Sequence, residues 1–316
     1  MSGLKQDFVW QGRTDSEDGE RGLRWHQIVN QNTQQAELCT LVGFACDLGV
    51  QNNKGRIGAS LGPAAIRGAL ANLAWHADTA LKDVGDIVAQ DQLVSSQQSY
   101  ANAISEALGQ SSFVVGLGGG HEIAWGSYQG LQQHLAGNPK KIGIVNFDAH
   151  FDLRKPAPLT SSGTPFWQIA QACQQEGKDF YYACLGISQA ANTRALFDTA
   201  SSTGSRYLLD MNCDENRAKA LLIPMLQEVD ELYVTICLDV FPAAIAPGVS
   251  APSALGISPL FVINILHWLG KTQQEFDFNW RLADLAEMNP TYDIGNQTAK
   301  LAARLSFELV HAKFSS

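Results

Sequence analysis

The sequence contains no C-x-x-C pair. Its six cysteines, Cys39, Cys46, Cys173, Cys184, Cys213 and Cys237, are scattered, which excludes zinc-ribbon and thioredoxin-type chemistry. Most have apolar neighbours and are expected to be buried small hydrophobes. No apolar run approaches the ~18 residues of a membrane span. The opening Met1-Ser2-Gly3-Leu4-Lys5-Gln6-Asp7 carries no apolar core of a signal peptide,. A soluble cytoplasmic protein with reduced thiols is therefore expected. Positive charge is also scarce: 22 Lys and Arg face 31 Asp and Glu, a net charge of −9. That balance argues against nucleic acid and anionic membranes as main partners. It leaves an anionic small-molecule substrate open, because a local cationic pocket can sit inside an acidic protein.

What the chain has is apolar runs alternating with helical patterns. Strands are expected at 38–44, 83–88, 113–117, 142–147, 180–185, 206–209, 232–238 and 278–283,. Helices are expected between them, at 63–75, 95–108, 121–135, 165–175, 189–201, 214–227, 258–270 and 295–311. Such alternation predicts an α/β fold: a single doubly wound, mainly parallel sheet with helices on both faces. No repeat, linker or composition break divides it, so residues 1–316 are expected to form one domain. Residues 1–37 are polar and irregular, an N-terminal extension that Trp10 and Trp25 would anchor to the body.

The chemistry gathers after the expected strand 142–147, in Asp148-Ala149-His150-Phe151-Asp152-Leu153-Arg154. If strand geometry persists, 148, 150 and 152 share a face. Open α/β sheets bind ligands beyond the carboxyl ends of their strands. Two carboxylates around one imidazole suit a first-row divalent metal. An N-cap aspartate with solvated neighbours is the plainer alternative.

Three further strand ends add to this. Gly118-Gly119-Gly120-His121-Glu122 opens a helix after strand 113–117, and its glycines allow a close approach of the backbone. A dinucleotide fingerprint starting at Gly116 competes, but it needs glycine where His121 stands. Thr235-Ile236-Cys237-Leu238-Asp239 ends strand 232–238, although aspartates often end strands for turn chemistry alone. Glu287 follows strand 278–283 and could pair with a cationic substrate group. His121, Asp148, His150, Asp152, Asp239 and Glu287 would together suit a dinuclear site with roughly 3.5–4 Å between metals. Carboxylate-rich, cysteine-poor ligation favours Mn²⁺ over Zn²⁺.

These residues resemble the ureohydrolase family of arginases and agmatinases. The matching pieces are Gly118 to His121, Asp148 to Asp152, Leu238-Asp239 with Pro247-Gly248 and Gly256, and Glu287-Met288-Asn289-Pro290. Five others are similar to its formimidoylglutamase branch: Gly-Gly-Gly-His-Glu at 118–122, Phe-Asp-Leu-Arg at 151–154, Ser-Gly-Thr-Pro-Phe at 162–166, Ala-Pro-Gly-Val-Ser-Ala-Pro at 246–252, and Trp-Gln-Gly-Arg-Thr-Asp at 10–15. The resemblance implies an arginase-like three-layer α/β/α fold and a homo-oligomer. It also implies hydrolysis of N-formimidoyl-L-glutamate to L-glutamate and formamide, as in histidine degradation, by a metal-bridging hydroxide. His121, Asp148, Asp152 and position 237 would hold one Mn²⁺, and Asp148, His150, Asp239 and position 237 the other. Asp152 would carry a proton to the leaving nitrogen, and Glu287 would orient the formimidoyl group. Arg154 is placed to fork onto a substrate carboxylate, with Arg56 a weaker candidate for the second.

The chain departs from the family in three places, one being that the histidine that arginases carry in the loop after Asp148–Asp152 has no counterpart, since no His lies between 151 and 266. Gly120 stands where the commoner motif, Gly-Gly-Asp-His, has aspartate. Cys237 stands where the family has an aspartate that bridges both metals. One soft sulfur does not mimic two carboxylate oxygens toward hard Mn²⁺, so weakened or partial metal loading is expected. An arginase- or agmatinase-like amidinohydrolase and a non-catalytic homologue remain as alternatives. Arg154 weighs against the first, because it would repel a cationic substrate end.

Overall fold

Runs of β-branched and other apolar residues form the strands here because both of their faces are covered. In the computed structural model, which describes residues 4–31, 37–138 and 140–314, nine strands make one sheet. They are β1 Leu4–Gln6, β2 Leu38–Ala45, β3 Ala80–Val88, β4 Phe113–Leu117, β5 Ile142–Phe147, β6 Tyr181–Ile187, β7 Arg206–Leu209, β8 Glu231–Cys237 and β9 Asn279–Ala286. Their order across the sheet is β1-β3-β2-β4-β9-β8-β5-β6-β7. Every pairing is parallel except that of β1 with β3.

Alternate residues of a central strand feed two separate cores. Leu232, Val234 and Ile236 of β8 join the helices Gly62–Leu70, Glu215–Leu226, Pro259–Phe276 and Gln297–Phe314 on one face. Tyr233 joins the helices Leu93–Leu108, Ile123–His134, Pro165–Gln175 and Arg194–Ser202 on the other. This is the three-layer arrangement expected for a parallel sheet whose crossovers cover both faces. Among the described residues, no helix is long and apolar enough to cross a membrane.

The N-terminal segment is more ordered than its composition suggests. Residues 1–3 and 32–36 of it lie outside the described residues. Leu4–Gln6 adds an antiparallel edge strand, with Lys5 opposite Ile87. Three residues are too few to show a period, so this strand leaves no trace in the sequence pattern. Trp10 donates its indole N–H to Asp83 Oδ2 at 2.7 Å, and buried Trp25 packs edge-on against Trp75 with ring centres 5.0 Å apart. The guanidinium of Arg67, fully buried, lies between Asp83 and Asp86. The helix expected from 189 begins only at Arg194, because the preceding turn serves a neighbouring loop.

For function, the strand order matters most. The carboxyl ends of β4, β9, β8 and β5 are consecutive in the sheet. They carry His121, Glu287, Cys237 with Asp239, and Asp148, in that order.

Candidate metal centre

β5 ends at Phe147, so strand alternation does not continue through 148–152 as expected. Asp152 sits in the left-handed region, with φ of 47°, a conformation aspartate tolerates better than most residues. The backbone N–H of His150 donates to Asp148 Oδ1 at 2.8 Å, an Asx-type turn. The turn still brings the two carboxylates together by another route. A carboxylate oxygen of Asp148 and one of Asp152 each lie 2.9 Å from His121 Nδ1. His150 Nδ1 lies 3.2 Å from Asp239 Oδ2 and 3.6 Å from Asp148 Oδ1. Asn192 braces the turn, accepting from Phe151 N at 3.1 Å and donating to Ala149 O at 2.8 Å. That is the task that delays the helix after it.

His121 is delivered by glycines that cannot be larger. A side chain at Gly119 would meet Cys46 O at 1.7 Å, and one at Gly120 would meet Glu122 Oε2 at 2.1 Å. Glu287, with φ of 71°, locks onto the same loop: its N–H donates to Gly119 O at 2.7 Å, and its Oε1 accepts from His121 N at 3.0 Å. His121 Nε2 lies 3.0 Å from Thr235 Oγ1. Thr235 is paired across β8 and β9 with Asp284, whose buried carboxylate accepts from Ser127 and Tyr233 at 2.6 Å each. Thr235 accepting from Nε2–H would leave Nδ1 free to face the carboxylates. Support of this kind fixes the tautomer of a metal-binding histidine.

The electrostatics are those of crowded carboxylates. Burial works against charge on His121, but Asp148 and Asp152 hold its pKa well above the usual value. His150 is raised likewise, burial being outweighed by Asp239 and Asp148. Burial would raise Asp148, yet the two imidazoles pull it below the usual carboxylate range. Asp152 is pushed up to about 6 by burial and the Asp148 charge. Asp239 is raised by burial, against the opposing pull of His150. Glu287 is pushed up to about 8 by burial, Glu122 and Asp239. The Cys237 thiol is driven far up by burial and by Asp148, Asp239, Glu287 and Asp152.

Whether a cation fits can be judged from the atoms left over. Asp239 Oδ1 and Glu287 Oε2 are buried and make no hydrogen bond, and His121 Nδ1 faces two carboxylate oxygens at 2.9 Å. Buried polar atoms are rarely left so, and a divalent ion would satisfy atoms aimed into one space. Among the described residues, two compact donor groups stand out: His121, Asp148 and Cys237, and Asp148, His150 and Asp239, the donor atoms of each within 4.8 Å of one another. Asp148 belongs to both. Asp152 belongs to neither, although it touches His121. The residues present therefore fit divalent cations, with one sulfur among oxygen and nitrogen donors.

His121, His150, Asp152, Arg154, Cys237, Asp239 and Glu287 all line one cavity of about 170 Å³, and Asp148 lies beneath it. Asn53, Ser162, Asn192 and Ser250 also line it; single polar residues in loops give no pattern by which to find them in the sequence. A larger cavity of about 610 Å³, walled by Tyr128, Lys140 and Tyr181 among others, lies toward the amino ends of β5 and β6. Ligands of open α/β sheets bind at the other end, and among the described residues neither metal-binding group lines that larger space. Arg56 departs from expectation. Its guanidinium donates to Ser250 O at 3.1 Å and to Val249 O, and stacks over Tyr292 at 4.1 Å. It ties two loops together and is not free for a substrate carboxylate. Arg154 is exposed at the cavity mouth.

Comparison with known proteins agrees with this geometry. A family model described as the arginase family matches residues 37–312. A formimidoylglutamase of Vibrio vulnificus (strain CMCP6) is 49% identical over 333 residues, covering 98% of this chain and 96% of the relative. One of Hahella chejuensis is 47% identical over 312 residues, covering 97% and 95%. Among solved structures, Trypanosoma cruzi formiminoglutamase with Mn²⁺ superimposes with a TM-score of 0.79 at 22% identity, covering 92% of this chain and 98% of that one. Formimidoylglutamase of Bacillus subtilis superimposes with a TM-score of 0.78 at 20% identity, covering 92% and 91%.

Proposed function

This chain belongs to the arginase family, and we propose that it hydrolyses N-formimidoyl-L-glutamate to L-glutamate and formamide in a metal-dependent reaction. The observation that carries the substrate is the near-full-length identity to formimidoylglutamases. The donor groups at the carboxyl edge of the sheet support the chemistry. Mn²⁺ is the proposed ion, two per chain, held by His121, Asp148, Asp152 and Cys237 on one side and by Asp148, His150, Asp239 and Cys237 on the other. Bound there, such ions lower the pKa of water toward neutrality and supply a nucleophile.

The chain's own residues then orient the substrate and move protons. Glu287 Oε2, buried and without a partner, accepts N–H bonds from the formimidoyl group and fixes its carbon over the metal-binding side chains. Asp152, which lines the cavity beside His121, passes a proton to the departing glutamate nitrogen, which would otherwise leave as an amide anion. The Arg154 guanidinium, at the cavity mouth, forks onto a carboxylate of the glutamyl part. A cationic arginine or agmatine end would be repelled there.

Formamide and glutamate release by the purified protein, with and without added Mn²⁺, tests the proposal. Release that depends on Mn²⁺ and is absent with arginine or agmatine is expected. Urea from arginine, or no turnover with any divalent ion, would overturn it. A homo-oligomer, a cytoplasmic location and a single folding unit over 1–316 belong to the same proposal. Light scattering, cell fractionation and a single calorimetric unfolding transition are their checks.

A further inference from the structure

We propose that Cys237 makes the two halves of the centre chemically unequal: its sulfur is a ligand in the half built on His121, which therefore selects a softer divalent ion, Zn²⁺ or Co²⁺, while the half built on His150 keeps hard Mn²⁺. This rests on the proposed function in requiring that the site hold two cations, and it revises that reading in two respects: the ion in the His121 half and the contact of Cys237 with the other half.

Placement carries the inference. Cys237 is the last residue of β8, beside β5, which delivers Asp148. Its Sγ lies within 4.8 Å of donor atoms of both His121 and Asp148 and lines the cavity, while the residue is 1% exposed. His121 lines the same cavity, with Nδ1 2.9 Å from carboxylate oxygens of Asp148 and Asp152. The other thiols are engaged or packed elsewhere: Cys46 donates to Glu122, Cys173 meets Tyr128, Cys184 donates to backbone carbonyls, Cys39 lies in the core and Cys213 packs against it. Among the described residues, no other cysteine joins a metal-binding group.

The donor sets then differ by type. His121, Asp148 and Cys237 offer nitrogen, oxygen and sulfur, a mixture that suits Zn²⁺ and its neighbours in softness. Asp148, His150 and Asp239 offer two oxygens and one nitrogen, which suits Mn²⁺. On binding, the S–H bond breaks, a sulfur–metal bond forms, and the proton leaves to solvent. A carboxylate at 237 would give an oxygen to each ion. The single sulfur serves the half that it lines together with His121.

Chelator-stripped full-length protein titrated with Co²⁺ gives the test, because thiolate ligation produces a near-ultraviolet charge-transfer band and oxygen or nitrogen ligation does not. The band is expected to saturate at one equivalent while visible d–d bands grow to two. Cys237→Ser and Cys237→Asp are expected to lose the band and keep the d–d bands, and Cys237→Asp to lower the ratio of Zn²⁺ to Mn²⁺ affinity relative to the parent protein. Two bound Co²⁺ without the band in the parent protein, or a band that survives in both variants, would overturn the inference and leave the metal-dependent function standing. Absence of any Co²⁺, Zn²⁺ or Mn²⁺ binding would overturn both.

Discussion

Gly120 is expected to be coupled to Glu122, two residues on. A methyl at 120 would lie 2.1 Å from Glu122 Oε2, 2.8 Å from its Cδ and 2.4 Å from a Val50 methyl. The Glu122 side chain is fully buried and accepts from Gly49 N at 2.9 Å, so it cannot simply swing away. Gly120→Ala should therefore cost about 1–3 kcal/mol, as overpacking usually does. Glu122→Ala leaves Gly49 N without a partner, which costs about 1–3 kcal/mol by itself. In the double variant the clash with the carboxylate is gone and only the Val50 methyl remains, which a rotamer change relieves. The double variant should thus be more stable than the sum of the singles by about 1–2 kcal/mol, within the range seen for touching residues. Urea unfolding of the four proteins measures this directly. Costs that add to within about 0.5 kcal/mol would show that the Glu122 carboxylate does not fill the space over Gly120. The same geometry says that aspartate at 120, as in the commoner motif, is incompatible with Glu122 where it now sits.

Thr235→Val removes the partner of His121 Nε2; Mn²⁺ affinity should fall about 10–100-fold, with Thr235→Ser restoring it in equilibrium dialysis, and an unchanged affinity would refute the supporting role. Lys313 is partly buried, which lowers its pKa to about 8. Between that value and the usual one for lysine, the unfolded chain binds more protons than the folded one, so stability rises with pH across this window. Below it the charged amine disfavours folding fully, by on the order of 1–2 kcal/mol after allowing for its partial exposure. Lys313→Met should therefore flatten the alkaline limb of a stability–pH profile, and an unchanged slope would count against the shift. Melting temperature after chelation should climb with added Mn²⁺, as mass action on a folded-state site requires; a melting point indifferent to Mn²⁺ would refute cation binding at the carboxylates.

Several elements were legible because local pattern and burial agree. The runs 113–117, 142–147 and 206–209 form strands with the bounds expected; the first two are apolar stretches walled off by glycine or polar residues. β1 was not legible, since three residues carry no period and its pairing is decided by the free edge of β3. The clustering of the site is a different matter. His121, Asp148, Asp239 and Glu287 are each recognisable as polar groups at strand ends, but their adjacency depends on the order β4-β9-β8-β5, which chain order does not contain. The resemblance implied that adjacency; residue patterns did not. Asp148 and Asp152 meet His121 through a turn with a left-handed aspartate, not through strand alternation. Thr235 reads as an ordinary strand residue and Asp284 falls just past the expected strand 278–283, because a threonine's partner across a sheet is invisible until register is known. Arg56 was misplaced for the converse reason: an arginine in a glycine-rich loop reads the same whether it faces a ligand or a carbonyl.

The charges of the site explain why these departures matter together. Asp148, Asp152, Asp239 and Glu287 share one buried neighbourhood with the imidazoles of His121 and His150, and Asn146 adds a neutral donor to Asp148. The chain by itself can reconcile them in one way, by keeping protons: both imidazoles are raised, and Asp152 and Glu287 titrate near about 6 and about 8. Protons and metal ions then compete for the same lone pairs, so loading must release protons and strengthen as pH rises. A carboxylate at 237 would be raised by the same burial and the same acids, but from the usual value of a carboxylate and not from that of a thiol. The Cys237 thiol, held protonated by burial and by the surrounding acids, gives up its proton less readily than a carboxylate in that place would. The substitution therefore changes more than the hardness of one donor. It moves the pH at which the His121 half fills, while the His150 half, built on Asp148 and Asp239, keeps three donors that do not include the thiol.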